Sequence, residues 1–300
     1  MKFGLFLKSC RQKNKLTQEE LVTELYIYDE LFSGLDTRTL IRWEQGKTQP
    51  SPIKQLVIIR YFKQFDNLYF SCLLNDIDEN QFCTKTIKNI VKKSKEHVLN
   101  LPQNIFSHED ILITHSSNIS NKIDMPLSIL SGMTSDSFSI TKKDFLLWSE
   151  QPNNLFLLAE VHQQFMGMFI CLRLKQEVFE KIISFNLDVT ELTEADFAQG
   201  EEKSSLFIVT LFAYNDIIAT HLYAHFLVYL IKQQQYIFDV GATPLLEGGK
   251  KIVQQMYMQK IKEKQIDKKT VTSYKVSLED ILLSEDVLRA IFTKENCPQE

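Results

Sequence analysis

Two sets of residues in this 300-residue chain have types and spacings that could do chemistry. The first is cationic. In Asp36-Thr37-Arg38-Thr39-Leu40-Ile41-Arg42-Trp43-Glu44, Leu40 and Trp43 stand three apart and share the buried face of a helix, which leaves Thr37, Arg38 and Arg42 on the opposite face. A helix fits the major groove of DNA, and an arginine there can bond bidentately to the acceptor edge of guanine. The second set suits acid–base work. Glu160, His162, His221 and His225 could serve as general bases, and the last two lie four apart in one predicted helix. That spacing also suits a metal or ligand site, but the edge of a core or an interface is the stronger reading. Gly248-Gly249-Lys250-Lys251 brings small residues next to lysines without the spacing of a phosphate-binding P-loop, so it reads as a helix start.

What must position these groups is bounded by composition. A length of 300 residues suggests two domains, and 44% hydrophobic with 24% charged residues is ordinary for a globular chain. No apolar run reaches the roughly 18 residues of a membrane span, and the N-terminal residues lack the apolar stretch of a signal peptide. The expectation is a cytoplasmic protein. Cys10, Cys72, Cys83, Cys171 and Cys297 are odd in number and without CxxC spacing, which argues against disulfides and zinc alike. A net charge of −4 hides an asymmetry: residues 1–74 carry eleven Lys and Arg against eight Asp and Glu, a balance of +3, so the remainder carries −7. A mildly basic head on an acidic body is the pattern of a DNA-binding module joined to something else.

Within the head, Phe3, Leu5, Phe6, Leu7 and Cys10 begin a first helix. Thr17 is an N-cap whose capping box is completed by Glu20, with Leu16 and Leu21 as the flanking staple, so a second helix runs through Leu25. The Thr37 helix follows, stopped by Gly46 and then by Pro50 and Pro52. LTQEEL, TRTLIRWEQGKTQPS and the apolar helix from Ile53 to Phe62 together resemble the helix-turn-helix family of the phage Cro and C1 repressors, the XRE class. The resemblance implies that Gln18 contacts a phosphate, that Thr37, Arg38 and Arg42 read bases, that Thr39 and Lys47 touch the DNA backbone, and that Glu44 pairs with Arg11. The segment YIYDELFSGL departs from that pattern, with about eight residues more than a short turn needs. It could lengthen the second helix or form an extra turn near Phe32-Ser33-Gly34. A small helical bundle with incidental threonines and arginines is the alternative for the head.

Residues 75–122 read as a linker with one basic helix, TIKNIVKKSKEHV, whose Lys88, Lys92, Lys93 and Lys95 suit a solvated face better than a DNA contact. His97, His108 and His115 show no metal-like pairing and read as surface or interdomain residues. From Ile123 helical and strand signals alternate. They comprise a helix in SITKKDFLLWSEQPNN capped by Ser139, a hairpin of Leu155–Val161 and Met166–Leu174 around HQQF, and a helix Gln176–Ser184. A strand Ser205–Phe212, a helix Asp216–Gln233, a strand Tyr236–Val240, a helix after Pro244 and a last strand Val271–Val276 complete an α/β domain.

LFLLAEVHQQFMGMFICLRL, SSLFIVTLFA and YIFDVGATPLLEGGKKIVQQMYM in that order resemble the GNAT acetyltransferase family. The resemblance implies a mixed central sheet and an acyl-CoA pyrophosphate held on backbone N–H groups at a helix N-terminus. The equivalent stretch here, residues 213–220, has no glycine and places Asp216 where an anion should sit; Tyr257 is no secure match for the family's late tyrosine acid. The expected architecture is an all-α helix-turn-helix domain at 1–74, the linker at 75–122, a GNAT-like domain at 123–285 and a tail at 286–300. The expected function is sequence-specific DNA-binding transcriptional regulation, with a non-catalytic GNAT-like domain for ligand sensing or dimerisation; a DNA-tethered acyl-CoA-dependent N-acetyltransferase is the alternative. Double-stranded DNA, a second copy of the chain and a small-molecule or acyl-CoA-like effector are the expected partners, with no membrane. No metal and no catalytic cofactor is expected, acetyl-CoA being the disfavoured option.

Overall fold

A computed structural model describes residues 3–63, 83–84, 86, 110–115, 124–133, 140–245, 247–266, 269–284 and 287. They fall into two compact units, one within Met1–Lys93 and Leu282–Glu300, the other within Ser94–Ile281. The basic segment around Lys88, Lys92, Lys93 and Lys95, together with His97, His108 and nearly all of the 286–300 tail, lies outside the described residues.

The first unit is all-α. Helices α1 (Phe3–Lys13), α2 (Gln18–Tyr28), α3 (Thr37–Glu44) and α4 (Pro52–Lys63) bury Phe3, Phe6, Leu7, Leu21, Leu25, Leu40, Trp43, Ile58 and Phe62 among themselves. The Thr17 capping box forms as the sequence requires: Thr17 Oγ1 accepts from Glu20 N at 3.2 Å, and Thr17 N donates to Glu20 Oε2 at 2.7 Å. Gly46, with φ of +71°, ends α3 in the left-handed conformation that favours glycine. The extra segment does both things open to it. It extends α2 to Tyr28, and then Asp29 caps a one-turn 3-10 helix, Glu30–Phe32, by accepting from Leu31 N at 2.9 Å. Phe32 is the anchor, fully buried. Gly4 lets α1 approach α3 closely, because a Cβ there would lie 2.2 Å from the Trp43 carbonyl oxygen.

The second unit is built on a seven-stranded mixed sheet. Its strands are β1 (Ile111–His115), β2 (Leu155–Val161), β3 (Gln164–Lys175), β4 (Ser204–Ala213), β5 (Ile237–Ala242), β6 (Gln259–Ile266) and β7 (Lys269–Ser277). They stand in the order β1-β2-β3-β4-β5-β7-β6, and only β4 and β5 run parallel. Helices α5 (Asp124–Met133), α6 (Lys142–Ser149), α7 (Gln176–Ile183), α8 (Asp216–Lys232), α9 (Glu247–Gln255) and α10 (Leu278–Leu282) accompany the strands. β3 is buried at every position from Gly167 to Leu174 because both faces of the sheet are covered. One face carries Met168, Ile170, Leu172 and Leu174 into a cluster with Phe145 and Trp148 of α6 and Phe179 and Ile182 of α7. The other presents Phe169 to Phe226 of α8, ring centroids 4.7 Å apart.

Three local expectations need correction. The cap of α6 is Thr141, because Asp144 lies three residues on and closes a capping box with it; Ser139 has no such partner in the sequence. Residues 111–115, read within the linker, form the edge strand β1 against β2. Strand β6 was not expected at all. QKIKEKQI is exposed along nearly its whole length and has no apolar alternation to betray it; its three lysines guard the free edge of the sheet.

Candidate functional site

In α/β sheets ligands gather beyond the carboxyl ends of parallel strands, where connections leave in different directions. Here that place is the carboxyl end of the β4–β5 pair. The strands pair from Ser204↔Ile237, with a register shift before Leu206↔Val240, to Ile208↔Ala242, and there β5 stops. Strand β4 continues to Ala213 beside β3 only. Opposite the step from Ile170 to Cys171, β4 advances from Thr210 to Ile208, so Val209 is an extra residue in the ladder. A bulge of this kind bends the strand that carries it. Beyond it, residues 209–213 have no strand beside them on the β5 side among the described residues, which leaves a gap between β4 and β5.

Helix α8 begins at the mouth of that gap. Asn215 caps it, accepting from Ile218 N at 2.9 Å, and Thr220 Oγ1 donates to the Asp216 carbonyl at 2.7 Å. Gly167 allows this end of α8 to rest on β3, since a Cβ there would meet Phe212 O at 2.7 Å and Ile218 Cγ2 at 2.9 Å. Asp216 is exposed in the first turn. A carboxylate in the first turn stabilises a helix through its dipole and competes with any bound anion for the same positive end. Asp216 therefore opposes an anion by charge and not by steric blockage, because its side chain faces solvent.

The candidate bases lie on three elements: Glu160 in β2, His162 in the turn after it, and His221 and His225 in α8. His162 sits with Gln163 in the two-residue turn between β2 and β3, both at positive φ, 50° and 66°. His221 is buried in α8, and His225, one turn on, makes an edge contact with His115 of β1 at 6.0 Å between centroids. Among the described residues no group of three or more His, Cys, Asp or Glu could hold a metal ion. No helix among them is long and apolar enough to cross a membrane.

In the first unit, Arg38, Arg42 and Lys47 are exposed along and just past α3, and Thr37 and Thr39 are half-buried in its first turn. Thr39 N donates to its cap, Asp36 Oδ1, at 2.6 Å. Gln18 is held differently. Its Nε2 donates to Glu44 Oε2 at 2.8 Å, inside a network in which Arg11 Nε and Nη2 reach the two Glu44 oxygens at 2.6 and 3.1 Å. The Arg11–Glu44 pair is thus present, and its hydrogen bond raises the Arg11 pKa further above its ordinary value. A feature missed in the sequence is a cavity of about 430 Å³ in this unit, lined by Asn14, Leu16, Glu24, Ile27, Tyr28 and Tyr61. Two of its walls come from the segment that looked like a mere insertion.

Strand order, the single parallel pair and its α8 crossover make the second unit a mixed α/β domain, consistent with a GNAT-like fold. The chain is similar to the loading GNATL domain of CurA from Lyngbya majuscula at 10% identity, covering 56% of this chain and 98% of that one with a TM-score of 0.42. It is similar at 12% to FeeM, an N-acyl amino acid synthase from uncultured soil microbes, covering 61% and 98% with a TM-score of 0.43. It is similar at 12% to aminoglycoside N(6')acetyltransferase from Legionella pneumophila, covering 57% and 94% with a TM-score of 0.36. These are likenesses of fold. No protein-family model matches the chain, and no curated protein matches it significantly.

The leading functional expectation is corrected by these findings. The expectation of a DNA-binding transcriptional regulator with a non-catalytic GNAT-like domain is not what these likenesses offer: two of the similar structures are named as an N-acyl amino acid synthase and an aminoglycoside acetyltransferase. The Cro/C1-type resemblance of the head finds no counterpart among them or in a family model, beyond its being all-α.

Proposed function

We propose that the GNAT-like unit is an acyl-CoA-dependent N-acyltransferase domain whose acyl thioester lies in the gap between β4 and β5. The observation that carries this reading is the parting of the two parallel strands after Ile208, with the bulge at Val209 and the first turn of α8 at the same end. The residues suit such a group unevenly. The β5 side of residues 209–213 suits an extended chain carrying amide groups, which can pair with a strand edge. The first turn of α8 offers backbone N–H groups to phosphates, and Asn215 takes only that of Ile218. Asp216 works against the same phosphates. When bound, acetyl-CoA would supply the activated acyl group; the chain's part is to hold the thioester at the gap and present an amine to it.

Calorimetric titration of the intact chain with acetyl-CoA tests the reading, with an expected Kd on the order of 10 μM. Asp216→Asn removes the opposing charge and should tighten binding about threefold. Thiol release on adding an amine acceptor would then follow. Heat no different from buffer at millimolar acetyl-CoA, in both proteins, overturns it.

A further inference from the structure

The cavity of about 430 Å³ in the all-α unit is distinct from the strand gap and takes no part in the acyl-transfer reading. Its lining has a consistent chemistry. Leu16 and Ile27 are aliphatic, and Tyr28 and Tyr61 present two rings packed edge to face at 5.3 Å. The polar atoms left over are mostly acceptors. Asn14 spends one amide N–H on the Cys10 carbonyl at 2.9 Å, which leaves its carbonyl oxygen and one further N–H. The Tyr61 hydroxyl donates to Glu24, which leaves the remaining carboxylate acceptor sites. Glu24 is half-buried and bears the one formal charge among the six lining side chains. Burial, and then the neighbouring Glu24 carboxylate, push the Tyr61 pKa well above its ordinary value, so that hydroxyl stays a donor bound to Glu24 and adds no competing charge.

We propose that this cavity binds an organic ammonium ion with a small apolar body. A carboxylate and an amide oxygen supply acceptors for the N–H groups, two tyrosine rings in the lining attract the charge, and Leu16 and Ile27 contact the hydrocarbon. A neutral ligand gains little from such a lining, and an anion is repelled by it. The ring contribution also explains why the ligand would be an ammonium with a carbon body and not a bare metal cation, for which one carboxylate is too few ligands.

Protein-observed NMR titration of the full chain with butylammonium chloride, against butanol as the neutral match, reads the inference directly. Butylammonium should bind with a Kd of about 1 mM, and butanol about tenfold more weakly. Glu24→Gln should weaken butylammonium about tenfold while leaving butanol unchanged. Because that change also disturbs Tyr61, Ile27→Arg serves as a second variant. Ile27 is 76% exposed, so the fold tolerates the change, and the new guanidinium at the cavity rim should abolish butylammonium binding. Equal binding of butanol and butylammonium, no shift of the Tyr28 and Tyr61 resonances at saturating amine, or full binding in Ile27→Arg each overturn the inference.

Discussion

Each unit of the molecule is pinned by one arginine, and the two are held in opposite ways. Arg11 lies between α1 and α3 with its charge matched by the Glu44 carboxylate, in two hydrogen bonds and a third to the Leu16 carbonyl at 2.8 Å. Arg173, in the middle of the GNAT-like unit, is 1% exposed and has no carboxylate within reach of a hydrogen bond. It donates instead to Ser204 Oγ at 2.8 Å, Gln233 Oε1 at 3.2 Å and the Glu202 carbonyl at 2.7 Å, with its guanidinium over the Tyr236 ring at 5.4 Å. Burial lowers its pKa from the ordinary arginine value, whereas the hydrogen bond to Glu44 raises that of Arg11. A matched ion pair can be replaced as a pair. An arginine that serves neutral acceptors from β4, α8 and a loop cannot, because those acceptors remain after it is gone.

The largest effect is therefore expected at Arg173. Arg173→Ala leaves a cavity and three orphaned acceptors and should cost about 4 kcal/mol in denaturant unfolding; a loss under 1 kcal/mol would mean that the surrounding polar groups re-pair with water. Glu44→Ala leaves Arg11 and Gln18 without their acceptor and should cost about 3 kcal/mol, yet the double change Arg11→Met with Glu44→Leu should come within about 1 kcal/mol of the parent. If the double variant is as unstable as Glu44→Ala, the pair is not separable from its surroundings and the contrast with Arg173 fails. A smaller change is expected in the β2–β3 turn. His162→Asn with Gln163→Gly places left-handed formers where φ is already positive and should stabilise the GNAT-like unit by about 1 kcal/mol, seen as a higher thermal midpoint.

Smallest of all is a pH effect from two capping carboxylates of the all-α unit. Hydrogen bonds from Thr17 hold the Glu20 pKa below its usual value, and those from Thr39 do the same for Asp36. Both folded values are depressed, so their contribution is present above the ordinary carboxylate range and is lost as pH falls through and below about 4. Asp36→Ala should flatten the acid limb of a thermal-midpoint titration for this unit and leave that of the GNAT-like unit unmoved. A parallel change in both units would show that the caps are not the source.

Much of the local architecture was legible in the chain. Thr17 with Glu20, Gly46, the HQ turn and the long apolar α8 follow from backbone chemistry within a few residues, which any surroundings would respect. The strands β1 and β6 were not legible, because one is short and the other buries almost nothing, so neither carries a burial pattern. Arg173 gave no signal either: in FICLRLK it looks like a charge closing a strand, and only the approach of β4 and α8 makes it a buried hub. The gap between β4 and β5 is likewise a matter of tertiary structure.

What the sequence by itself determined is therefore most of the helices, the inner strands of the sheet and the balance of charge between head and body, since these depend on neighbours in the chain. Which residues share a site was decided by the tertiary structure. Val209 becomes a bulge only because β3 pairs Ile170 with Thr210 and Cys171 with Ile208, and Glu24 lines a cavity with Tyr61, 37 residues away, only because the two are packed together. Contacts at such separations cost chain entropy that no local preference supplies, so they form only when the whole unit closes.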